Sequence, residues 1–250
     1  MKSRRGQLGN SAALKSMNDT LTLNSLASER ELPALYMLRG SSAICDRGAM
    51  PPDYEVLPLP ATRWHEARSV VEIEWPVTDC AWNELLARVL PEGLFVLRDR
   101  RSGQLIGTAS AIHNPAGSRF YFPAGGELGY LVVDAAHRGK GLGYGLVAAV
   151  VERLCTASYQ HLWLGVQGWR LPAIRTYVRA GYRPFLHAPN PDALVTRWMR
   201  VFVAAGLTTD VPGWPRALAS DDDGAAEQLV GRESRRVGMF PNMNGAAKAE

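Results

Sequence analysis

One stretch limits the possible folds of this chain more than any other: Glu127-Leu-Gly-Tyr-Leu-Val-Val-Asp-Ala-Ala-His-Arg138-Gly-Lys-Gly-Leu-Gly-Tyr-Gly145. Its first half is apolar and reads as a strand over Glu127–Val133. Glycines punctuate Arg138–Gly143. Beyond them Leu142, Leu146, Val150 and Leu154 recur every fourth position, which predicts one buried face of a helix reaching about Cys155. A strand, a glycine turn and a helix in direct succession require a sheet with a helix packed on its face. The glycines let the backbone turn tightly and bring its N–H groups near an anion. The helix start adds unpaired donors and partial positive charge. Arg138 and Lys140 add full charges. Together they form a candidate phosphate or pyrophosphate site; the alternative is an ordinary strand–helix turn with convenient glycines.

Two familiar phosphate loops are excluded by spacing. The string GxxxxGK[ST] is absent, and the GxGxxG frame fails from Gly139, where the sixth residue is Tyr144, and from Gly141, where it is Leu146.

The surrounding chain reads as one mixed α/β domain over 53–206, with no internal repeat. Tyr54–Leu57 is a short strand stopped by Pro58 and Pro60. Thr62 and Asp79 are candidate caps for helices to about Glu74 and Leu90. Gly93–Arg98 and Gln104–His113 form a hairpin about Asp99–Gly103. Arg119–Phe122 is a possible short strand within the loop Asn114–Gly126. His161–Val166 is a strand, Leu171–Ala180 a helix with Pro172 near its start and Gly181 past its end, Tyr182–His187 a last strand, and Asp192–Ala205 a further helix. Residues 1–52 are rich in Ser, Asn, Gly and Arg, with one short apolar stretch, Leu32–Leu38, broken by Pro33; they are expected to be a flexible tail. Residues 207–250 are expected to be a second one. On that reading a chain beginning at Met50 keeps the fold.

Composition narrows the function classes. Cys45, Cys80 and Cys155 are odd in number and far apart, which argues against a disulfide framework or a CxxC knuckle. His65, His113, His137, His161 and His187 show no HxxxH spacing, so no metal is expected. The net charge of +4 is diffuse, without a basic arm, so no nucleic-acid partner is expected. No apolar run approaches the ~18 residues of a membrane span, and no apolar segment follows Lys2, Arg4 and Arg5 as a secretory signal requires. The expectation is a cytoplasmic protein without a membrane partner.

Arg138-Gly-Lys-Gly141-Leu-Gly143 resembles the acyl-CoA pyrophosphate loop, [RQ]xxGx[GA], of the GNAT superfamily of N-acetyltransferases. The resemblance extends over about residues 53–188. Leu128–Val133 followed by Asp134-Ala-Ala-His is similar to that family's fourth strand. Leu162–Val166 and Ala173-Ile-Arg-Thr-Tyr177-Val-Arg-Ala-Gly-Tyr182 are similar to its fifth strand and to NxxAxxxYxxxGF. Arg170 departs from the pattern, standing where the family usually has Asn.

The resemblance implies a splayed central sheet flanked by helices, acetyl-CoA as co-substrate, and direct attack by an amine of a small molecule or peptide on the thioester. It implies that Leu131, Val132 and Val133 offer backbone to the pantetheine arm, and that Arg138, Gly139, Lys140, Gly141, Leu142 and Gly143 hold the pyrophosphate. Arg170 is a candidate phosphate contact or a solvent-facing side chain. Glu127 matches the family's general base, with a solvent-facing glutamate as the alternative. Tyr177 matches the tyrosine near the CoA sulfur, with a buried helix tyrosine as the alternative. Glu72, Glu74 and Trp75 fall where the family builds its acceptor wall, and His113 ends the strand before the acceptor-side loop. Another acyl-CoA, or a non-catalytic acyl-CoA-binding module, stays open as a competing reading. A monomer or a homodimer is expected.

Overall fold

The structure is a computed structural model describing residues 29–41, 48–114, 125–187, 190–208 and Trp214. The expected strand at Arg119–Phe122 lies outside these residues, as do residues 1–28 and nearly all of 209–250.

Seven strands form one mixed sheet. They are β1 (Leu35–Gly40), β2 (Tyr54–Pro58), β3 (Val89–Asp99), β4 (Leu105–His113), β5 (Gly125–Val133), β6 (His161–Val166) and β7 (Arg183–Pro184), in the spatial order β2-β3-β4-β5-β6-β1-β7. The expected α/β class is therefore observed. Neighbours are antiparallel except β5 and β6. The β3–β4 turn is fastened by the Asp99 carboxylate, which accepts from the Arg101 amide at 3.0 Å and the Ser102 hydroxyl at 2.9 Å.

The helices are α1 (Arg68–Val71), α2 (Asp79–Leu86), α3 (Leu142–Thr156), α4 (Leu171–Arg179) and α5 (Pro191–Ala204). Where one helix is expected over residues 63–74, the chain forms a 3₁₀ segment, Ala61–Ala67, and then the single turn α1. The residue capping α2 is Thr78, one position before the expected Asp79; its hydroxyl accepts from the Ala81 amide at 3.2 Å. Leu142, Leu146, Val150 and Leu154 of α3 are all buried, as their spacing requires. They pack with Leu97, Ile106, Leu128 and Leu164 on one face of the sheet. The opposite face carries a second core, in which Val70, Val71 and Trp75 around α1 and Leu85 of α2 meet Leu94, Val96, Ile112 and Val132.

The N-terminal boundary differs from expectation. Leu35–Gly40 is a strand inserted between β6 and β7, with Leu35 opposite Val166 and Met37 opposite both Leu164 and Pro184. Leu35 and Met37 are fully buried. The third inward position holds Arg39, whose guanidinium donates to the Ala180 carbonyl at the end of α4, 2.9 Å away. A charged residue at an inward position conceals the apolar alternation of this strand. On the other side, Trp214 is buried against Phe202, with ring centroids 5.3 Å apart, so the fold extends past the expected limit at 206.

A buried ion pair secures the chain just before β1. Arg197 of α5 donates from Nε and Nη2 to Glu29 Oε2 at 2.9 and 2.8 Å, and from Nη2 to the Pro33 carbonyl at 2.8 Å. Removing one partner strands a buried charge, a loss of about 3–5 kcal/mol. Glu29→Ala is expected to lower unfolding free energy by about that amount in urea denaturation. A larger loss than from Arg63→Ala is required, since the exposed Arg63–Glu66 pair is worth only ~0–1 kcal/mol.

Candidate active site

The parallel pairing of β5 and β6 covers only Gly125/His161, Gly126/Leu162 and Glu127/Trp163. Beyond Glu127 no ladder pair joins the two strands among the described residues, although both continue. The sheet therefore opens into a cleft toward their carboxyl ends, where ligands of open α/β sheets sit. Leu128–Val133 keeps its other edge on β4, so one backbone edge faces the cleft.

β5 carries a bulge. Ser110 faces Gly129 while Thr108 faces Val132, an extra residue on β5. Tyr130 takes it up with φ 53°, a left-handed conformation that is costly for a bulky side chain. The bulge inverts the strand's phase. Leu128 packs on the α3 side, while Tyr130 and Val132 pack on the α1 side. Glu127 and Tyr130, three residues apart, are thereby brought to the same face. Tyr130 meets Trp75 edge-on, with centroids 5.7 Å apart. Burial raises the pKa of its phenol, and the Glu127 charge raises it further against a smaller opposing effect of Arg88. Asn114 donates to Glu127 Oε2 at 2.8 Å, which holds the carboxylate at the start of the cleft.

Below the cleft, Asp134 caps a 3₁₀ turn, Ala135–His137, by accepting from the Ala136 amide at 2.8 Å. The loop then passes through Gly139 (φ 80°) and Gly141 (φ 77°), with Gly141 as the N-cap of α3. A side chain at either glycine would meet nothing within 4 Å, so the loop surface is open and its donors can be approached. These features fit a pyrophosphate. A Cβ placed at Gly143 would lie 3.9 Å from the Val133 side chain, an ordinary van der Waals contact. Leu142 is a core residue, and only its backbone is available to a ligand.

The cationic side chains are already paired. Lys140 donates to the Tyr54 hydroxyl at 2.7 Å, and that hydroxyl lies 3.2 Å from His137 Nδ1. Arg138 donates from Nε to the Val133 carbonyl at 2.7 Å and from Nη2 to Glu74 Oε1. Arg170 donates from Nη1 to Glu74 Oε2 at 3.0 Å and lies over the rings of Trp75 and Trp169 at 5.2 and 4.6 Å. Arg170 is thus not a freely solvated side chain. Burial opposes ionisation of Glu74, but Arg170 and then Arg138 outweigh it and hold the carboxyl below its ordinary range. The stabilisation from this clamp is therefore present above the ordinary carboxylate pKa and is lost as pH falls through the depressed value.

Tyr177 lies on α4 and packs in the core on the α3 side of the sheet. It is buried, its ring 6.1 Å from that of Tyr182. Burial raises its pKa strongly, against a weaker effect of Arg170, so the phenol keeps its proton throughout the neutral range. His113 points away from the Glu127 face and meets the Tyr159 hydroxyl at 2.7 Å. Among the described residues no group of three His, Cys, Asp or Glu side chains is placed to hold a metal ion, and no helix is long and apolar enough to cross a membrane. Tyr130, Asn114 and the bridging role of Glu74 are additions to the expected set. The bulge and the long-range pairing that create them have no local signal.

Comparison with known proteins gives three findings. The family model described as "Acetyltransferase (GNAT) family" matches residues 58–182. A mycothiol acetyltransferase of Amycolatopsis mediterranei (strain U-32) is 28% identical over 120 residues, 48% of this chain and 38% of that protein. The crystal structure of a GCN5-related N-acetyltransferase from Sphaerobacter thermophilus shares the fold, with TM-score 0.51 and 20% identity over 61% of this chain and 49% of that one. The chain spans well under two thirds of the length of either protein.

Proposed function

The chain belongs to the acetyltransferase (GNAT) family, and from that premise we propose that it is an acyltransferase moving an acetyl group from acetyl-CoA to a primary amine of a small molecule. One observation carries the reading: the edge of β5 that has no strand partner beyond Glu127 among the described residues adjoins the open glycine loop at one end of the sheet. A pantetheine arm and a pyrophosphate need these two surfaces in that order. The curated relative is named for mycothiol, a small molecule, which favours that acceptor class over a peptide.

Acetyl-CoA supplies an activated thioester. The chain's own residues supply position and protons. The β5 edge at Leu131, Val132 and Val133 receives the extended arm, and the amides of Gly139–Gly143 with Arg138 and Lys140 receive the phosphates. Glu127, oriented by Asn114, accepts a proton from the incoming ammonium, whose ordinary pKa near ~10 otherwise keeps it protonated. Tyr177, held neutral by burial, gives its proton to the departing sulfur. Tyr130 and Trp75 form the apolar wall on the Glu127 face.

Two measurements test this. A thiol-release screen with acetyl-CoA and a panel of amines is expected to find turnover. Binding without turnover by any amine points instead to a non-catalytic acyl-CoA module, and competition by other acyl-CoAs tests the acetyl preference. Gly143→Glu, which sets a carboxylate where the pyrophosphate rests, is expected to abolish acetyl-CoA binding in calorimetry while the thermal transition persists. Unchanged affinity in the folded variant removes the site assignment.

A further inference from the structure

We infer that Glu74 is a built-in competitor for the cofactor's phosphates, a carboxylate that bridges Arg138 and Arg170 in the free protein and must leave when acetyl-CoA enters. The inference rests on the acetyl-CoA reading above. Arg138 follows β5 and Arg170 follows β6, the two strands that diverge. Glu74 stands on the segment between α1 and α2 and joins them through its two oxygens, one to each guanidinium. The bridge therefore spans the mouth of the cleft beside the open glycine loop. Two guanidinium groups converging on a pair of oxygens is also how proteins hold a phosphate.

The arginine from the β6 side is built for such exchange. Arg170 is stacked on Trp75 and Trp169, which fixes the plane of its guanidinium. Its Nε is buried and has no hydrogen-bond partner among the described residues, so Glu74 satisfies the group only in part. A phosphate, with more acceptor oxygens, can use the remaining donor. Glu74 and a phosphate cannot share the site at small separation, because like charges repel there. Pairing with Glu74 thus keeps both arginines aimed at the loop and lowers affinity by the strength of the bridge. The next residue, Trp75, packs against Tyr130 on the Glu127 face.

The test is calorimetric titration of the full chain with CoA, comparing wild type, Glu74→Gln, Arg170→Gln and the double variant. Glutamine keeps the shape and removes the charge. Glu74→Gln is expected to bind CoA about 3- to 10-fold more tightly, the range expected for releasing a partly buried ion pair. A merely structural role predicts the opposite sign. The gain is expected to shrink in the double variant relative to Arg170→Gln alone. Glu74→Ala is the second variant, should the first not fold, and must move affinity in the same direction. Equal or weaker CoA binding by folded Glu74 variants overturns the proposal, as does the full gain with Arg170 removed. CoA binding by wild type with no gain overturns the competitor alone; no CoA binding by any variant overturns the acetyl-CoA reading together with it.

Discussion

A chain beginning at Met50 is expected to lose its cooperative thermal transition and to accumulate as aggregate. The deletion removes β1, so β6 loses its antiparallel partner and β7 loses the strand it pairs with among the described residues. Leu35 and Met37 are withdrawn from the core, at about 1.5–3 kcal/mol each. Arg197 loses Glu29 and is left as a buried, unpaired cation, a further ~3–5 kcal/mol. Together these approach the whole ~5–15 kcal/mol that typically stabilises a domain. The exposed edge of β6 then offers Leu162 and Leu164 to other chains. The check is circular dichroism melting with size-exclusion chromatography of residues 50–250 against the full chain. A soluble truncated protein melting within a few degrees of full length contradicts the role assigned to β1.

Tyr177→Phe is expected to lower kcat by ~10²–10⁴ with little change in acetyl-CoA affinity, since it removes one hydroxyl and retains the ring. The deficit should persist at every pH, because burial already keeps the native phenol protonated and a higher pH supplies no acid. Glu127→Gln is expected to lower kcat as well, but its deficit should narrow as pH rises toward ~10, where free amine becomes abundant without a base. Parallel pH–rate profiles with an amine found by thiol release separate the two roles. Full kcat in Tyr177→Phe across the range reduces the tyrosine to a packing residue. A Glu127→Gln deficit constant with pH removes the base assignment.

The parts legible in the sequence are those whose signals are local. β6, α3 and α4 lie within a residue or two of their expected limits, because four-residue apolar spacing, Pro172 and Gly181 act over a few positions. Before Pro76, where the sequence predicts one helix, the chain is a 3₁₀ segment and one α-turn, with Trp64 anchored to the Leu59 carbonyl at 2.8 Å. β1 has only a weak local signal because half of its support is tertiary. Arg39 at an inward position reads as solvent-facing until the Ala180 carbonyl is brought to it. Tyr130 was hidden by the bulge, since strict alternation places it on the face opposite Glu127. The glycine run announces an anion site, but the pairing of its cations, Lys140 with the Tyr54 hydroxyl and Arg138 with the Glu74 carboxylate, depends on contacts 86 and 64 residues away in sequence.

The position of β1 also bears on synthesis. A chain emerging from the ribosome exposes Leu35 and Met37 long before β6 and α5 exist to receive them; Glu29 must wait for Arg197, 168 residues later. Meanwhile β2 to β4 can pair as a meander of near neighbours. Vectorial folding is therefore expected to proceed from the middle outward, with β1 stitched in last. That closure is non-local and correspondingly slow. A nascent chain stalled before α5 is the form most exposed to chaperones and proteases, whatever the stability of the finished fold.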